Sequence, residues 1–337
     1  MKLLSAIAIA FVITGFCRSG ASAEEVLREV SRIALPGVEG RIDHLSADVA
    51  AKRVFVAALG NQTVEVLDVD AGKVVASLKG FKEPQGILAV PGSTRLLVTN
   101  AGAEYGTVLD RTSLAQIAQI PLPEDSDNVR YDSSTRYAWI GAGSGRDAAL
   151  VALDTLTNKV VKQVTLRGHP ESFQLEKRGP RIFVNVPTAG IIEVIDRGTG
   201  KVLADWSVSA AANFPMALDE ESQRLFVGTR SPARLLVYDI TTGKTVTSLD
   251  TVGDTDDVFY DADTHHVYIS GGEGLVYVYR QESADRYSLI EKITTRKGAR
   301  TSLFVPDWRL LFVALPKRGG AAAEIRVFKV AATPNRG

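Results

Sequence analysis

Seven times along the chain a short apolar run ends in an acidic residue or proline, with a polar run before it and a second apolar run soon after. The words are GRIDHLSAD, EPQGILAVP, EDSDNVRYD, GHPESFQLE, AANFPMALD, GDTDDVFYD and GARTSLFVP. Their last residues are Asp48, Pro91, Asp132, Glu176, Asp219, Asp261 and Pro306, spaced by 43, 41, 44, 43, 42 and 45. A unit of that length with four short strands has the period of a β-propeller blade. One unit cannot bury its own two faces, so the repeat dictates a ring or stack before any single residue is considered.

The first unit shows the expected blade. Asp43–Ala47 is strand A at the channel, Arg53–Ala58 (RVFVAA) strand B, Thr63–Asp68 (TVEVLD) strand C and Lys73–Leu78 (KVVASL) the outer strand D. Strands C and D alternate apolar and polar residues, the period-2 signature of a strand with one buried face. Strand B recurs as RLLVTN, RYAWIG, RIFVNV, RLFVGT, HVYISG and RLLFVA. In the seventh unit, strands A (Ser302–Val305), B (Arg309–Ala314) and C (Glu324–Phe328) are followed by no fourth strand. Val30–Leu35 has the D pattern and precedes the first strand A, so it is predicted to supply that strand and close the ring, removing an exposed edge. An open β-solenoid is the alternative for such a repeat, and the three-plus-one closure argues against it. The expected fold is all-β: a seven-bladed β-propeller of four antiparallel strands per blade over residues 24–330, with no helix, and a short flexible tail at 331–337.

The first 23 residues read differently. Lys2 gives a positive start, Leu3 to Phe16 an apolar stretch, and Ala21-Ser22-Ala23 a small-x-small cleavage site before Glu24. That is the pattern of a secretory signal peptide cleaved after Ala23. Cys17 raises a lipoprotein alternative, but Phe16 stands where such sites take a small residue. Removing the leader leaves 314 residues without cysteine, carrying 37 basic and 39 acidic side chains. A chain with no disulfide must hold itself by packing, and this length suffices. The near-neutral balance gives no broad footprint for nucleic acid, and no later segment is apolar enough to span a bilayer. The expectation is a periplasmic monomer.

Asn61-Gln62-Thr63-Val64-Glu65-Val66-Leu67-Asp68, continuing to Gly72-Lys73-Val74-Val75-Ala76, resembles the YVTN-type, YncE-like propeller repeats of bacteria. Arg95-Leu96-Leu97-Val98-Thr99-Asn100 is close to the word that names them, and Pro84-Gln85-Gly86 looks like their P-x-G lead-in to strand A. The likeness is closest in blades 1 and 2. It implies an exported seven-bladed ring and no single chemistry: similar rings bind proteins, nucleic acid or small molecules, or carry lactonase or redox activity.

The polar half of each word falls on the face where connections gather around the channel mouth. Counting back five from each word's end gives Asp43, Gly86, Asp127, Glu171, Phe214, Asp256 and Thr301; the next position gives His44, Ile87, Asn128, Ser172, Pro215, Asp257 and Ser302. Arg41, His169, Asn213, Asp254 and Arg300 lie nearby, and the B-to-C loops can add Tyr105, Arg146, Arg230 and Lys317. The expected ligand-binding set is Arg41, Asp43, His44, Asp127, Asn128, His169, Glu171, Asn213, Asp256, Asp257 and Arg300.

Three readings stay open for this set. Asp and Asn cap strand ends in ordinary loops. Alternatively the group binds a small polar ligand, a cation or an exported partner protein. Four carboxylates in one ring repel unless a cation or arginines neutralise them, and Asp43, Asp127, Glu171 and Asp256 are the expected donors to Ca²⁺ or Mg²⁺. The third reading is a lactonase-type hydrolase using that metal to polarise a carbonyl and activate water. No HxxxH, HExxH, cysteine pair or nucleophile elbow is present. His265-His266 reads as an exposed turn. Trp139 (strand B), Trp206 (strand D) and Trp308 (A–B turn) form no stacking platform for single-stranded nucleic acid. The favoured expectation is therefore non-catalytic binding at the mouth, with a protein-interaction scaffold as a further alternative.

Overall fold

The repeat folds into seven four-stranded antiparallel sheets. The computed structural model describes residues 25–331; the expected leader with its cleavage after Ala23, and residues 332–337 of the expected tail, lie outside them. Ala331 is still tied to the ring, donating its backbone N–H to Val26 O at 2.8 Å.

In blade 1 the strands are Leu45–Asp48, Arg53–Ala58, Thr63–Asp68 and Lys73–Lys79. Strand A starts two residues later than the sequence suggests. Asp43 and His44 still bond to strand B through Ala57, at 2.8 and 3.0 Å, but lie on the stretch that rises to the channel mouth. Blade 7 consists of Ser302–Val305, Leu310–Leu315 and Glu324–Val330, completed by Leu27–Ala34. That last pairing is antiparallel, with Leu27 opposite Val330 and Ile33 opposite Ile325. The ring is closed as expected, and the closing strand begins three residues earlier than the pattern indicated. Four single-turn 3₁₀ segments, such as Pro306–Trp308, are the helical elements among the described residues.

The core is divided into seven clusters, one at each seam between blades. The apolar pairs of strand A sit in these seams: Leu45 with Ala47 between blades 7 and 1, Phe173 with Leu175 between 3 and 4, and Val258 with Tyr260 between 5 and 6. Alternation explains this placement, because residues i and i+2 share a face.

The acid that ends each word belongs to the opposite side of the ring. Asp48 pairs with Arg111 of the next blade at 3.0 Å, Asp132 with Arg197 at 3.3 Å and Asp261 with Arg309 at 2.8 Å. The arginine opening strand B reaches a carbonyl of the next blade: Arg53 to Arg111 O at 3.2 Å, Arg95 to Leu156 O at 2.7 Å and Arg224 to Ala284 O at 3.1 Å. These contacts clasp the blades at the face away from the mouth. His266 departs from the exposed turn expected of it. It is buried at the start of strand B in blade 6, while His265 beside it is exposed.

Candidate functional site at the channel mouth

Pairing with strand B fixes which residues are equivalent between blades. Leu45 faces Val56, Ile87 faces Val98, Val129 faces Ile140 and Phe173 faces Val184; Met216, Val258 and Ser302 face Val227, Ile269 and Val313. Two residues before these come Asp43, Gln85, Asp127, Glu171, Phe214, Asp256 and Arg300. All seven line one cavity of about 240 Å³ at the mouth. The sequence count placed Gly86 and Thr301 in this ring. In blades 2 and 7 the word ends on a proline one residue further on, so the count slipped by one and missed Gln85. Gly86 sits behind the ring for a different reason: a Cβ there would lie 1.8 Å from Asp127 O of the neighbouring blade.

Of the expected set, Arg41, Asp43, His44, Asp127, Asn128, His169, Glu171, Asp256 and Arg300 line this cavity, joined by Arg230. Asn213 does not. It is fully buried between blades, donating to Asn185 Oδ1 and Ile191 O, both at 3.0 Å. Asp257 does not either; it faces a second chamber further down the channel. Tyr105, Arg146 and Lys317 also stay outside. Asp125, which the sequence reading omitted, enters by turning at positive φ just ahead of the ring.

The arginines at the mouth are already matched. Arg41 pairs with Asp43 at 2.7 Å, Arg300 with Asp254 at 2.8 Å, and Arg230 with Asp256. Arg230 also stacks over Phe214, 3.8 Å from the ring centroid, which fills the one apolar slot of the ring with a cation–π contact. His44 Nε2 lies 3.0 Å from Asp127 Oδ1 and 3.6 Å from Asp43 Oδ1. The Gln85 amide, with its NH₂ turned to the same carboxylate, lies 3.1 Å from Asp127 Oδ1. Glu171 has no ion-pair partner among the described residues, although it stands in the ring between Asp127 and Arg230.

Burial and like charge shape these groups. Burial raises the Glu171 carboxyl to about 9, with Asp127 and Asp256 adding to the rise and Arg230 opposing it. Burial also lifts Asp43, to about 6, and Asp256. At His44 burial favours the neutral ring, but the contact with Asp127 outweighs it and carries the imidazole up to about 10. Burial likewise works against ionised Asp127, and the His44 contact more than offsets it, holding this carboxyl below its ordinary value. Beside its arginine pairs the mouth therefore holds the ion pair of His44 with Asp127, and next to it Glu171, a carboxylic acid without a counter-charge.

Two groups of donors come close enough to share an ion: Asp43 with His44 and Asp127, and Asp127 with His169 and Glu171, the atoms of each group lying within 4.8 Å of one another. The second is better prepared. His169 Nδ1 lies 2.8 Å from Gly143 O and 3.1 Å from Asp125. A proton on Nδ1 donated to that carbonyl leaves Nε2 as a free lone pair, the arrangement that orients metal-binding histidines. Asn128, 4% exposed at the same cavity, keeps its Oδ1 without a hydrogen-bond partner.

No family model matches the sequence, and no curated protein matches it. Among solved structures the chain is similar to one described as Kuenenia stuttgartiensis hydrazine synthase, with a TM-score of 0.74 at 15% identity, over 88% of this chain and 99% of that one. At that identity the likeness carries the architecture, and the chain is a seven-bladed β-propeller.

Proposed function

We propose that the protein is an exported binding propeller whose mouth takes a small polar ligand through a divalent cation held by Asp127, His169 and Glu171. The observation that carries this reading is His169. Its Nδ1 is occupied by Gly143 O, and the ring stands in one cluster with ionised Asp127 and the unpartnered Glu171. A cation there would counter the burial and like charge that keep Glu171 protonated, and no arginine of the mouth is free to do so. One imidazole with two carboxylates suits Zn²⁺ or Mn²⁺ better than the all-oxygen preference of Ca²⁺ and Mg²⁺, which refines the expectation drawn from the carboxylates alone. The paired arginines at the rim provide polar contacts for the ligand around the ion. The export leader and the YncE-like repeat words support a place outside the cytoplasm, and sequencing the N-terminus of the secreted protein for a start at Glu24 tests that part.

A lactonase-type hydrolase is the second reading, favoured by one observation. Glu171 is a carboxylic acid held protonated beside the Asp43–His44–Asp127 cluster, where a proton donor to a leaving group belongs. Calorimetric titration of the metal-stripped protein with Zn²⁺, Mn²⁺, Ca²⁺ and Mg²⁺ tests the binding reading. Heat with Zn²⁺ or Mn²⁺ that falls at least about tenfold in affinity in Glu171→Gln supports it. No heat with any ion overturns it. Lactone turnover that requires the metal would favour the hydrolase.

A further inference from the structure

Below the mouth the channel widens into a second chamber of about 350 Å³, with His44 and Ser172 in the wall between the two. One step down each strand A from the seam residues lies the ring Ser46, Leu88, Arg130, Gln174, Ala217, Phe259 and Leu303, all facing this chamber. Six of them are half-buried and Ala217 is buried. The ring is otherwise apolar or neutral, so the guanidinium at Arg130 is conspicuous. It donates to Val129 O at 3.0 Å and to Ser172 Oγ at 3.2 Å. Three of its five N–H groups remain, and no carboxylate lies within ion-pair distance among the described residues. Burial works against its charge.

Asp257 enters the same chamber from blade 6. Its Oδ2 accepts from the Ser302 N–H at 2.7 Å, while among the described residues nothing donates to Oδ1. Blades 3 and 6 are as far apart as two blades of a seven-membered ring can be. An unpaired guanidinium and a half-satisfied carboxyl thus face one another across a space walled by Leu88, Val129, Met216 and Phe259.

We propose that this chamber is a second binding site, for a small organic acid that carries an ammonium or hydroxyl group at its other end. Its carboxylate would take the open N–H groups of Arg130, whose planar fork matches that geometry, and its donor would take Asp257 Oδ1. The alkyl body would lie on the apolar wall. A compact inorganic anion satisfies Arg130 but leaves Asp257 Oδ1 without a donor, and an amine satisfies Asp257 but leaves the open guanidinium N–H groups without an acceptor, each at the cost of an unsatisfied polar group. The volume is consistent with a molecule on the order of ten heavy atoms, since about 150 Å³ already houses benzene. The site uses none of the proposed cation ligands and does not rest on the cation.

The test is a calorimetric titration of the full chain with 4-aminobutanoate, 6-aminohexanoate, 4-hydroxybutanoate, butanoate, butylamine and sulfate, in EDTA and again with Zn²⁺. At least one bifunctional acid should bind roughly tenfold or more tightly than butanoate and butylamine. Arg130→Gln should abolish that binding, and Asp257→Asn should erase the advantage over butanoate. Because Arg130→Gln could disturb the strand, Ala217→Leu serves as an uncharged second variant that fills the chamber from blade 5; it should block binding in a protein that melts as a folded ring. Removing the cation with EDTA should leave binding unchanged, which separates failure of this site from failure of the cation site. The proposal is overturned if no bifunctional acid binds at about 10 mM, if sulfate binds as well as they do, or if Ala217→Leu binds like the parent.

Discussion

Asp127 of blade 3 and His44 of blade 1 meet at 3.0 Å, joining two blades that are not neighbours. Gln85 of the intervening blade completes the contact from the side. Both line the mouth, and His44 also borders the chamber below. Replacing His44 by Gln leaves Asp127 buried with a weaker partner, and removing one member of a buried pair typically costs about 3 kcal/mol or more. Urea unfolding of His44→Gln should show that loss, and Zn²⁺ should restore part of it if the ion takes over the charge of Asp127. An unaltered midpoint would mean that the pair contributes nothing to the fold.

Ring closure gives a second expectation. Deleting residues 24–36 removes the strand Leu27–Ala34, exposes the edge Glu324–Val330 and strips two seams, of buried Leu27 between blades 6 and 7 and of Ile33 and Leu35 between blades 7 and 1. It also frees Glu291 of blade 6, whose carboxylate accepts from the Val26 and Leu27 N–H groups at 3.0 and 3.1 Å. The truncated chain should aggregate or melt well below the parent in a thermal scan. Equal melting temperatures would show that the closing strand is dispensable.

The fold was legible because its signal is repeated seven times, so an error in one unit is corrected by the others. Strand B follows from its recurring apolar word, and the closing strand from the alternation it shares with the other outer strands. The site was legible as a slot, because an acid in the same place of Asp43, Asp127, Glu171 and Asp256 survives any reasonable alignment of the words. What failed was register at single residues. Gln85 was missed by one position, and Arg300, a member of the expected set, was put beside the ring with Thr301 in its slot, since a word's end marks a turn and only the ladder to strand B fixes the face. Asn213 was misassigned because it stands one residue before the ring, at a position that is buried in every blade, as at Ile42, Ser126 and Thr255. Arg130 left no signal, because it occupies a strand position that in the other blades is apolar or neutral.

Phe173 tests the seams themselves. It opens strand A of blade 4, is fully buried, and packs in the cluster shared with blade 3 beside Trp139 and Ile182. The guanidinium of Arg130 lies 5.8 Å from its ring. Phe173→Ala should cost about 3–5 kcal/mol, read from denaturant midpoints at unchanged slope. A loss below about 1 kcal/mol would mean the seam re-forms around the gap.

His266 supplies a pH dependence with a definite sign. It opens strand B of blade 6 at 8% exposure, with Tyr268 edge-on at 6.3 Å and Nδ1 unpaired. Burial lowers its pKa to about 4; Arg280, directly opposite in the ladder, and Arg309 and His265 push the same way, and Asp261 opposes them. In the unfolded chain the imidazole takes a proton near its ordinary 6.5, while the folded protein refuses it until about 4. The unfolded state therefore binds more protons across this window, and stability rises with pH within it. The contribution is complete above 6.5, is lost as the pH falls towards 4, and changes no further below that. Asp43 and Asp257, raised to about 6 and about 7, act with the opposite sign over overlapping ranges, so the parent curve alone does not isolate His266. The difference between parent and His266→Gln does, provided both are measured by urea unfolding in EDTA at several pH values from 4 to 7.5. That difference should shrink on acidification by on the order of 1 kcal/mol per pH unit, because the parent loses stability that the variant never had. A difference that stays flat across the window would show that His266 titrates alike in both states, and that its burial carries no electrostatic cost.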